Sequence, residues 1–296
     1  MIFKSITYRI YLAKVIHYLL YYLNAIEVLI LTANGSIGIF DSGVGGLTVV
    51  KALIEKLPNE RFIYFGDTAH VPYGNKSEQE LFLYARSIIS FLLSKRVKAV
   101  IVACGTHSSV TLPVTSREYS LPLLGVVKAG ASSAIRITRN GFIGIIATQA
   151  TVNRLAYTQQ IKALNKGFKV FEMACPKLVP LIEQGRLDGK KIREAIKEYL
   201  DPLIEQGIDT LVLGCTHYPF LAPLIKEYVG SAVTLVDPAY ETIEELKMIF
   251  TRENLFNNKE RLVNEFFVSG NDESFFTVGN KLLENTIKKV QRVDLN

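Results

Sequence analysis

The sequence predicts an α/β protein made of two similar parallel-sheet domains, with an active site in the cleft between them. Three observations support this prediction. From about residue 37 onward, apolar β-branched runs alternate with helical patterns, which is typical of βαβ units and a parallel sheet. Short segments then recur in the same order at nearly the same offset. Two of the recurring runs end in a cysteine, at Cys104 and at Cys215.

The internal duplication rests on two pairs of apolar segments. Segment 37–43 resembles segment 143–149, and the run that ends at Cys104 resembles the run that ends at Cys215. The offset is 106 residues for the first pair and 111 residues for the second pair. Short apolar strings often match by chance, but two matches in one order at similar offsets favour a doubled α/β unit.

The individual elements follow from composition and periodicity. Strands are short apolar runs rich in β-branched residues, and helices are longer segments with apolar residues three or four positions apart. The predicted strands lie at 37–40, 62–65, 97–103, 121–127, 142–146, 168–173, 210–213 and 233–236. The predicted helices lie at 47–57, 78–94, 129–139, 152–164, 190–206, 243–251 and 273–290.

We expect the chain to cross between the domains twice. The first domain would comprise residues 36–127 and 238–296, and the second domain residues 128–237. Residues 1–35 form an N-terminal extension of uncertain status. Three polar residues interrupt its apolar core, which weakens both a secretory signal and a membrane span. An amphipathic extra helix and a start codon assigned too early remain as alternatives.

Composition restricts the partners and the compartment. The 296 residues carry a net charge of +6 without a dense Lys/Arg cluster. No motif supports nucleic-acid binding. The positive charge would attract anionic substrates. Three cysteines are too few, and odd in number, for a disulfide framework, and fit a reducing compartment. We expect a cytoplasmic protein with neither a nucleic-acid partner nor a membrane association.

The cysteines at the strand ends are the candidate reactive groups. Ligands of open α/β sheets bind beyond the carboxyl ends of the strands, so Cys104 and Cys215 are expected to share one pocket. His107 and His217 follow them closely, and an imidazolium or a helix N-terminus would favour a thiolate. Cys175 is interpreted instead as a small buried apolar residue.

Two loops add polar groups to this region. Segment 41–46 follows a strand, precedes a helix and contains three glycines, which allow a tight turn at a helix N-terminus suited to an anion. Its spacing matches neither a dinucleotide fingerprint nor a Walker loop. Asp41 is either a helix cap or a carboxylate that orients a thiol. Segment 66–74 contains Asp, His and Tyr and is a candidate binding loop.

Together these segments are similar to the motifs of bacterial glutamate racemases, in the aspartate/glutamate racemase family. The similarity covers about residues 36–290. It rests on segments 37–46, 66–74, 103–108, 174–183, 214–219 and 237–242. It implies two α/β domains with the active site between them, no cofactor, no metal, and glutamate as the substrate. It also implies a role in making D-glutamate for peptidoglycan, and it leaves a homodimer open.

By this resemblance, Cys104 and Cys215 match the two catalytic acid/bases, and Asp41 and His217 match their assisting groups. The substrate-binding positions would be Asp41, Ser42, Tyr73, Gly74, Gly105, Thr106, Thr216 and His217. One departure is clear. The family's usual string after the first cysteine is Asn-Thr-Ala-Ser, whereas this chain has Gly105-Thr106-His107-Ser108. The change affects the expected substrate preference and the expected pKa of Cys104.

Two thiols suit racemisation because inversion requires proton removal from one face of the α-carbon and delivery to the other. The resemblance assigns D-glutamate to Cys104 and L-glutamate to Cys215. Three alternatives stay open: an aspartate or broad-specificity amino-acid racemase of the same superfamily, a zinc site, and a catalytically silent binding protein. The zinc site would use Cys104, His107, Cys215 and His217 as ligands.

Overall fold

The computed structural model describes residues 34–257 and 263–295. The strands are β1 (Ser36–Asp41), β2 (Phe62–Gly66), β3 (Val97–Val102), β4 (Leu123–Gly125), β5 (Phe142–Ala147), β6 (Lys169–Ala174), β7 (Thr210–Leu213), β8 (Thr234–Val236), β9 (Glu265–Val268) and β10 (Gln291–Arg292). The helices are α1 (Leu47–Lys56), α2 (Glu78–Ser94), α3 (Gly105–Val110), α4 (Leu112–Thr115), α5 (Val126–Ile137), α6 (Gln149–Asn153), α7 (Ala156–Leu164), α8 (Leu178–Glu183), α9 (Lys190–Glu205), α10 (Ala222–Val229), α11 (Pro238–Glu253) and α12 (Asp272–Leu282).

The strands form two parallel sheets that repeat one strand order. The first sheet runs β10-β9-β2-β1-β3-β4, and the second runs β6-β5-β7-β8. All of the strand pairs described are parallel. The order β2-β1-β3-β4 in one sheet therefore corresponds to β6-β5-β7-β8 in the other. The predicted fold class, two similar parallel-sheet α/β domains, is confirmed.

The central strands are buried on both faces, as their continuous apolar sequences require. Along β1, Ile37 and Ile39 pack in one core with α1 and α11, while Phe40 packs in a second core with α2 on the opposite face. Successive side chains of a strand point to opposite faces. The apolar residues of β1 therefore contribute to two cores, one on each face of the sheet.

Several predicted elements differ in length or number. The fourth strand is three residues long, because the chain turns into α5 directly after Gly125. The predicted helix 152–164 is two helices, since Leu155 adopts a left-handed conformation with φ 48° between α6 and α7. The predicted helix 273–290 ends at Leu282, and Glu284 and Asn285 follow with positive φ. Strands β9 and β10 and the shortest helices were not predicted.

We propose that the domains divide at 127 and at 237, as the sequence suggests. Strands β1 to β4, β9 and β10 share one sheet, while β5 to β8 share the other. Helices α5 and α11 begin at these two crossings and pack against each other. They are joined by ion pairs between Lys128 and Glu245 at 2.5 Å and between Arg136 and Glu241 at 2.6 Å.

Within the described ranges, no helix is both long enough and apolar enough to cross a membrane. The hypotheses for the N-terminal extension fall on residues 1–33, which lie outside the described residues.

A buried ion pair joins β3 to the loop between α1 and β2. The Lys98 ammonium lies 2.6 Å from the Glu60 carboxylate, and the two side chains are 0% and 3% exposed. Lys98 also donates to the Leu255 carbonyl at 2.7 Å and lies over the Phe250 ring. Burial lowers the pKa of Lys98 although Glu60 opposes that shift. Through these contacts Lys98 ties both the loop before β2 and the segment after α11 to the central sheet of the first domain.

We predict that Lys98→Met lowers the free energy of unfolding by about 3–5 kcal/mol, because it leaves the Glu60 charge buried and unpaired. Urea unfolding followed by circular dichroism measures this loss. The double variant Lys98→Met/Glu60→Leu is expected to recover most of the stability, since it removes both charges together. A loss below about 1 kcal/mol in the single variant, the range of exposed ion pairs, would contradict this account of the pair.

Candidate active site

The two strand-end cysteines line a single pocket between the sheets. Cys104 follows β3 and stands at the N-terminus of α3. Cys215 follows β7 and precedes the 3-10 turn Tyr218–Leu221. Each is 5% exposed, and both line the same pocket. The equivalent strand ends of the duplicated fold thus converge on one cavity, as the sequence predicts.

The pocket is small, with an internal volume of about 80 Å³. Its lining combines the predicted residues with several others. It is lined by Asp41, Ser42, Pro72, Tyr73, Gly74, Cys104, Thr106, Thr148, Gln149, Cys175, Pro176, Val179, Pro180, Cys215, Thr216 and His217. Every predicted site residue except Gly105 is among them.

Gly105 lies at the contact between the two thiol-bearing segments rather than on the pocket surface. A Cβ at this position would stand 2.5 Å from the Gly214 carbonyl oxygen and 3.8 Å from the Cys215 α-carbon. A contact of 2.5 Å with a backbone oxygen is too short for any side chain. The glycine therefore allows the backbone after Cys104 to lie directly against the backbone before Cys215.

Asp41 is fully buried and accepts three hydrogen bonds from both sides of the cleft. Its Oδ2 accepts from the backbone N–H of Gly46 at 2.8 Å and of Gly43 at 3.3 Å. Its Oδ1 accepts from the Thr216 hydroxyl at 3.3 Å. Burial raises the pKa of Asp41, while the nearby His217 and the two N–H groups oppose that shift. Asp41 thus both holds the glycine-rich loop and contributes a carboxyl group to the pocket.

His217 connects Cys215 to a carboxylate. Its Nδ1 lies 3.6 Å from the Cys215 sulfur, and its Nε2 lies 2.5 Å from Glu183 Oε1. Burial favours the neutral imidazole, but the hydrogen bonds with Cys215 and Glu183 outweigh it and raise the pKa of His217 well above its ordinary value. Burial likewise acts to raise the pKa of Glu183, and the contact with His217 lowers it below its ordinary value. The geometry favours an imidazolium–carboxylate pair beside the Cys215 sulfur.

Glu183 also fixes the glycine-rich loop of the first domain. Its Oε1 accepts a hydrogen bond from the Val44 N–H at 3.1 Å. A Cβ on Gly43 would lie 2.1 Å from that same carboxylate oxygen, and a Cβ on Gly45 would lie 2.4 Å from Nδ1 of His217. Because Gly43 and Gly45 have no side chain, the loop 41–46 can lie directly against Glu183 and His217 of the second domain.

Cys104 lies in a different electrostatic environment. Burial, and then the neighbouring Asp41 carboxyl group, raise the pKa of Cys104 well above its ordinary value. Backbone N–H groups of His107 and Thr106 at the start of α3 oppose this rise without cancelling it. This environment therefore favours a protonated thiol at Cys104.

The expectation that His107 lies close enough to adjust Cys104 by its charge is not supported. The His107 ring is fully buried, does not line the pocket, and pairs through Nδ1 with the Thr111 hydroxyl at 3.0 Å. Burial lowers the pKa of His107 to about 3, so the ring is neutral at physiological pH. Within the described part of the chain, no three His, Cys, Asp or Glu side chains cluster as metal ligands. The hypothetical zinc site is not assembled.

A chain of hydroxyl groups joins α3 to α6 across the cleft. Thr106 Oγ1 lies 2.9 Å from Thr148 Oγ1, which lies 3.1 Å from Thr151 Oγ1. Thr151 lies 3.3 Å from the hydroxyl of Ser109. Thr148 was not predicted as a site residue. It follows β5 as Ser42 follows β1, so the internal duplication could have identified it.

The loop 66–74 forms one wall of the pocket through Tyr73 and Gly74. The Tyr73 hydroxyl donates to the buried Asp67 carboxylate. Asp67 also accepts from the Ser269 hydroxyl at 2.6 Å and contacts Nδ1 of His70 at 2.8 Å. This network fixes the loop that the sequence indicated as a candidate binding loop. The sequence did not indicate which wall of the pocket the loop would form.

Two further residues, one in the pocket lining and one behind it, show the limits of sequence reasoning. Cys175 is fully buried, as predicted, and it also lines the pocket. Glu183 belongs to a segment on which the resemblance rests, but nothing in its spacing indicated that it would reach His217. Its role depends on how α8 packs against the 3-10 turn after Cys215, which is a tertiary contact.

Comparison with known proteins gives a consistent result. A profile of the family described as Asp/Glu/Hydantoin racemase matches residues 46–246. A glutamate racemase of Desulforudis audaxviator is 45% identical over 270 residues, covering 89% of this chain and 99% of the relative. A glutamate racemase of Neisseria meningitidis serogroup B is 45% identical over 261 residues, covering 88% and 96% respectively.

Solved structures agree with the sequence relatives. The crystal structure of glutamate racemase isoform RacE1 from Bacillus anthracis superposes with a TM-score of 0.85 at 37% identity, covering 88% of this chain and 98% of that chain. Glutamate racemase from Francisella tularensis, in complex with D-glutamate, gives a TM-score of 0.83 at 35% identity and covers 89% and 99%. The chain therefore belongs to the Asp/Glu/Hydantoin racemase family and is an amino-acid racemase.

Proposed function

We propose that this protein is a cofactor-independent glutamate racemase that interconverts L- and D-glutamate by proton transfer through Cys104 and Cys215. The observation that carries the proposal is the placement of the two thiols. They follow equivalent strands of two different sheets and line one pocket. The relatives named glutamate racemase, and the related structure that holds D-glutamate, support glutamate as the substrate.

Two bases are needed because a single base can only return the proton to the face from which it came. A thiolate on one side removes the α-proton, while a thiol on the other side delivers a proton to the opposite face of the same carbon. Cys104 would act on D-glutamate and Cys215 on L-glutamate, and the roles exchange with direction. General acid–base groups of this kind contribute roughly 10²–10⁴-fold to the rate.

The environments of the two thiols fit a resting state that favours L-glutamate as the first substrate. Burial and Asp41 raise the pKa of Cys104, which keeps it protonated and able to donate. On the other side, the His217 imidazolium lies 3.6 Å from the Cys215 sulfur and can balance a negative charge there. Cys215 would then remove the proton of L-glutamate and Cys104 would deliver one, which yields D-glutamate.

The α-proton of an amino acid is far less acidic than a thiol, so the pocket must stabilise the carbanion-like transition state. Each unit of pKa mismatch corresponds to about 1.4 kcal/mol. The pocket is lined by no Lys or Arg in the described chain. The hydroxyl groups of Ser42, Thr106 and Thr216, together with backbone N–H groups, would therefore hold the carboxylates as charge develops.

In the cell, the enzyme would supply D-glutamate for peptidoglycan, as the resemblance to bacterial glutamate racemases implies. Cys104, Cys175 and Cys215 are all free thiols, which fits a cytoplasmic location. A homodimer stays a hypothesis. The replacement of the family's Asn by Gly105 keeps an aspartate or broad-specificity racemase as the second candidate.

We predict that the purified protein, without added cofactor, inverts glutamate and incorporates solvent deuterium at its α-carbon. Proton nuclear magnetic resonance in D₂O and chiral chromatography measure exchange and inversion on the same sample. Aspartate under identical conditions discriminates the second candidate, since the proposed enzyme should turn it over far more slowly. The proposal fails if glutamate shows neither exchange nor inversion, and the second candidate is favoured if aspartate reacts faster.

We predict that Cys104→Ser and Cys215→Ser each reduce inversion by about 10²–10⁴-fold, because each removes one of the two acid/base groups. The measurement is the initial rate of inversion in both directions. Cys175→Ser is the matched control, since Cys175 lines the same pocket without an assigned role in proton transfer. Full activity in either of the first two variants would exclude the two-base scheme.

We predict that Glu183→Gln moves the alkaline limb of the pH profile of kcat/KM to lower pH by about one unit or more. Glu183 helps to raise the pKa of His217. When that charge is removed, the imidazolium loses its proton at lower pH, so the protonated form needed beside Cys215 is lost earlier. An alkaline limb that stays in place or moves to higher pH would contradict the assigned protonation state of His217.

A further inference from the structure

His107 is a buried titratable residue that the proposed reaction does not use. The Thr111 hydroxyl donates its single proton to the His107 carbonyl at 3.1 Å. That hydroxyl therefore accepts from Nδ1–H of the His107 ring, with which it is paired at 3.0 Å. Nε2 is then an unprotonated acceptor, and it has no hydrogen-bond partner among the described residues. A buried polar atom without a partner is costly, so another property of this ring must account for its position.

That property is its contact with the pocket wall. The His107 ring meets the Tyr73 ring edge-to-face, with centroids 4.5 Å apart and an interplanar angle of 81°. It also meets Phe40 of β1, with ring centroids 5.4 Å apart. Edge-to-face pairs at this distance are favourable beyond the area they bury. Tyr73 lines the pocket whereas the fully buried His107 does not, so His107 lies behind this wall and also contacts the core around β1.

Tyr73 is held at its hydroxyl group and on its ring by different neighbours, and Tyr84 also stacks on the ring with centroids 6.1 Å apart. Asp67 accepts the hydrogen bond of its hydroxyl group, and His107 supports its ring. Loss of the hydrogen bond would free the tip of the side chain, whereas loss of the ring behind it would let the whole wall move toward the core. The two contacts therefore control different displacements of the same wall.

The main chain of His107 has a separate role. Its backbone N–H opposes the rise in the pKa of Cys104, whereas the ring points to Thr111 and Tyr73. Substitution of the side chain keeps the backbone N–H. The effect of the side chain on the position of Tyr73 can therefore be measured separately from the effect of the backbone on the pKa of Cys104.

We propose that the His107 ring is a positioning residue that supports Tyr73 and sets the width of the pocket, and so its discrimination between amino acids of different chain length. This role rests on the proposed racemase function. It identifies His107 as a residue that determines which size of amino acid the racemase accepts. His107 acts by its shape and ring edges. The same support is expected from any planar ring of similar volume.

The test compares His107→Ala with His107→Phe. We expect His107→Ala to raise KM for glutamate about tenfold with a smaller change in kcat, because a displaced wall loosens the fit of the substrate. The same variant should improve kcat/KM for 2-aminoadipate, which is one methylene longer, relative to glutamate. His107→Phe keeps a planar ring behind Tyr73, although a somewhat larger one, so its KM should stay within about twofold of the parent enzyme.

Leu53→Ala is the matched control for a general loss of stability. Leu53 is fully buried in the core on the opposite face of the first sheet, so this variant should be destabilised without a change in KM. Thermal unfolding of all three variants establishes that each is folded under the assay conditions. The pH profile of kcat/KM should be the same in His107→Phe and in the parent, since a positioning role leaves the Cys104 proton equilibrium in place.

Two kinetic results would overturn the inference. One is a KM and a glutamate/2-aminoadipate ratio in His107→Ala equal to those of the parent. The other is a shifted pH profile in His107→Phe, which would show that the imidazole acts on a proton equilibrium. A crystal structure of His107→Ala separates this inference from the proposed function. Displacement of the Tyr73 ring supports the positioning role even if the parent enzyme does not racemise glutamate, and an unmoved ring refutes it.

Discussion

The structure depends on the close approach of two strand ends from different sheets. Gly105, after Cys104, lies against the backbone of Gly214, before Cys215, at a distance that no side chain could occupy. A Cβ on Gly214 would also lie 2.8 Å from the Ile146 carbonyl. Because both positions lack a side chain, the two cysteines can line one pocket rather than two separate strand-end clefts.

The interactions that close the cleft are also the ones that set the charges within it. Glu183 from the second domain accepts the Val44 N–H of the first domain and pairs with His217. Asp41 from the first domain accepts the Thr216 hydroxyl of the second. The thiols consequently differ, since a carboxyl group faces Cys104 while an imidazolium accompanies the other sulfur. The duplicated fold provides equivalent positions, and these contacts make the two positions chemically unequal.

Much of this arrangement could be predicted from the sequence, because it depends on local signals. Continuous apolar runs locate the central strands, and their recurrence indicates the doubled fold and the pairing of the two cysteines. The strand β9 and the two-residue β10 escaped prediction, since they are short and are stabilised by pairing with distant strands. Glu183 was missed for a related reason, as only tertiary packing brings it to His217. The neutral state of His107 follows from its burial, which the residues beside it in the sequence do not indicate.

The central claim is that two sulfur atoms flank one α-carbon from opposite sides. A crystal structure with bound glutamate, with the sulfurs located by their anomalous scattering, tests it most directly. The account predicts the sulfurs of Cys104 and Cys215 on opposite faces of the α-carbon, each at about 3–3.5 Å as expected for reacting groups. Both sulfurs on one face, or either one separated from the ligand by another side chain, would contradict it.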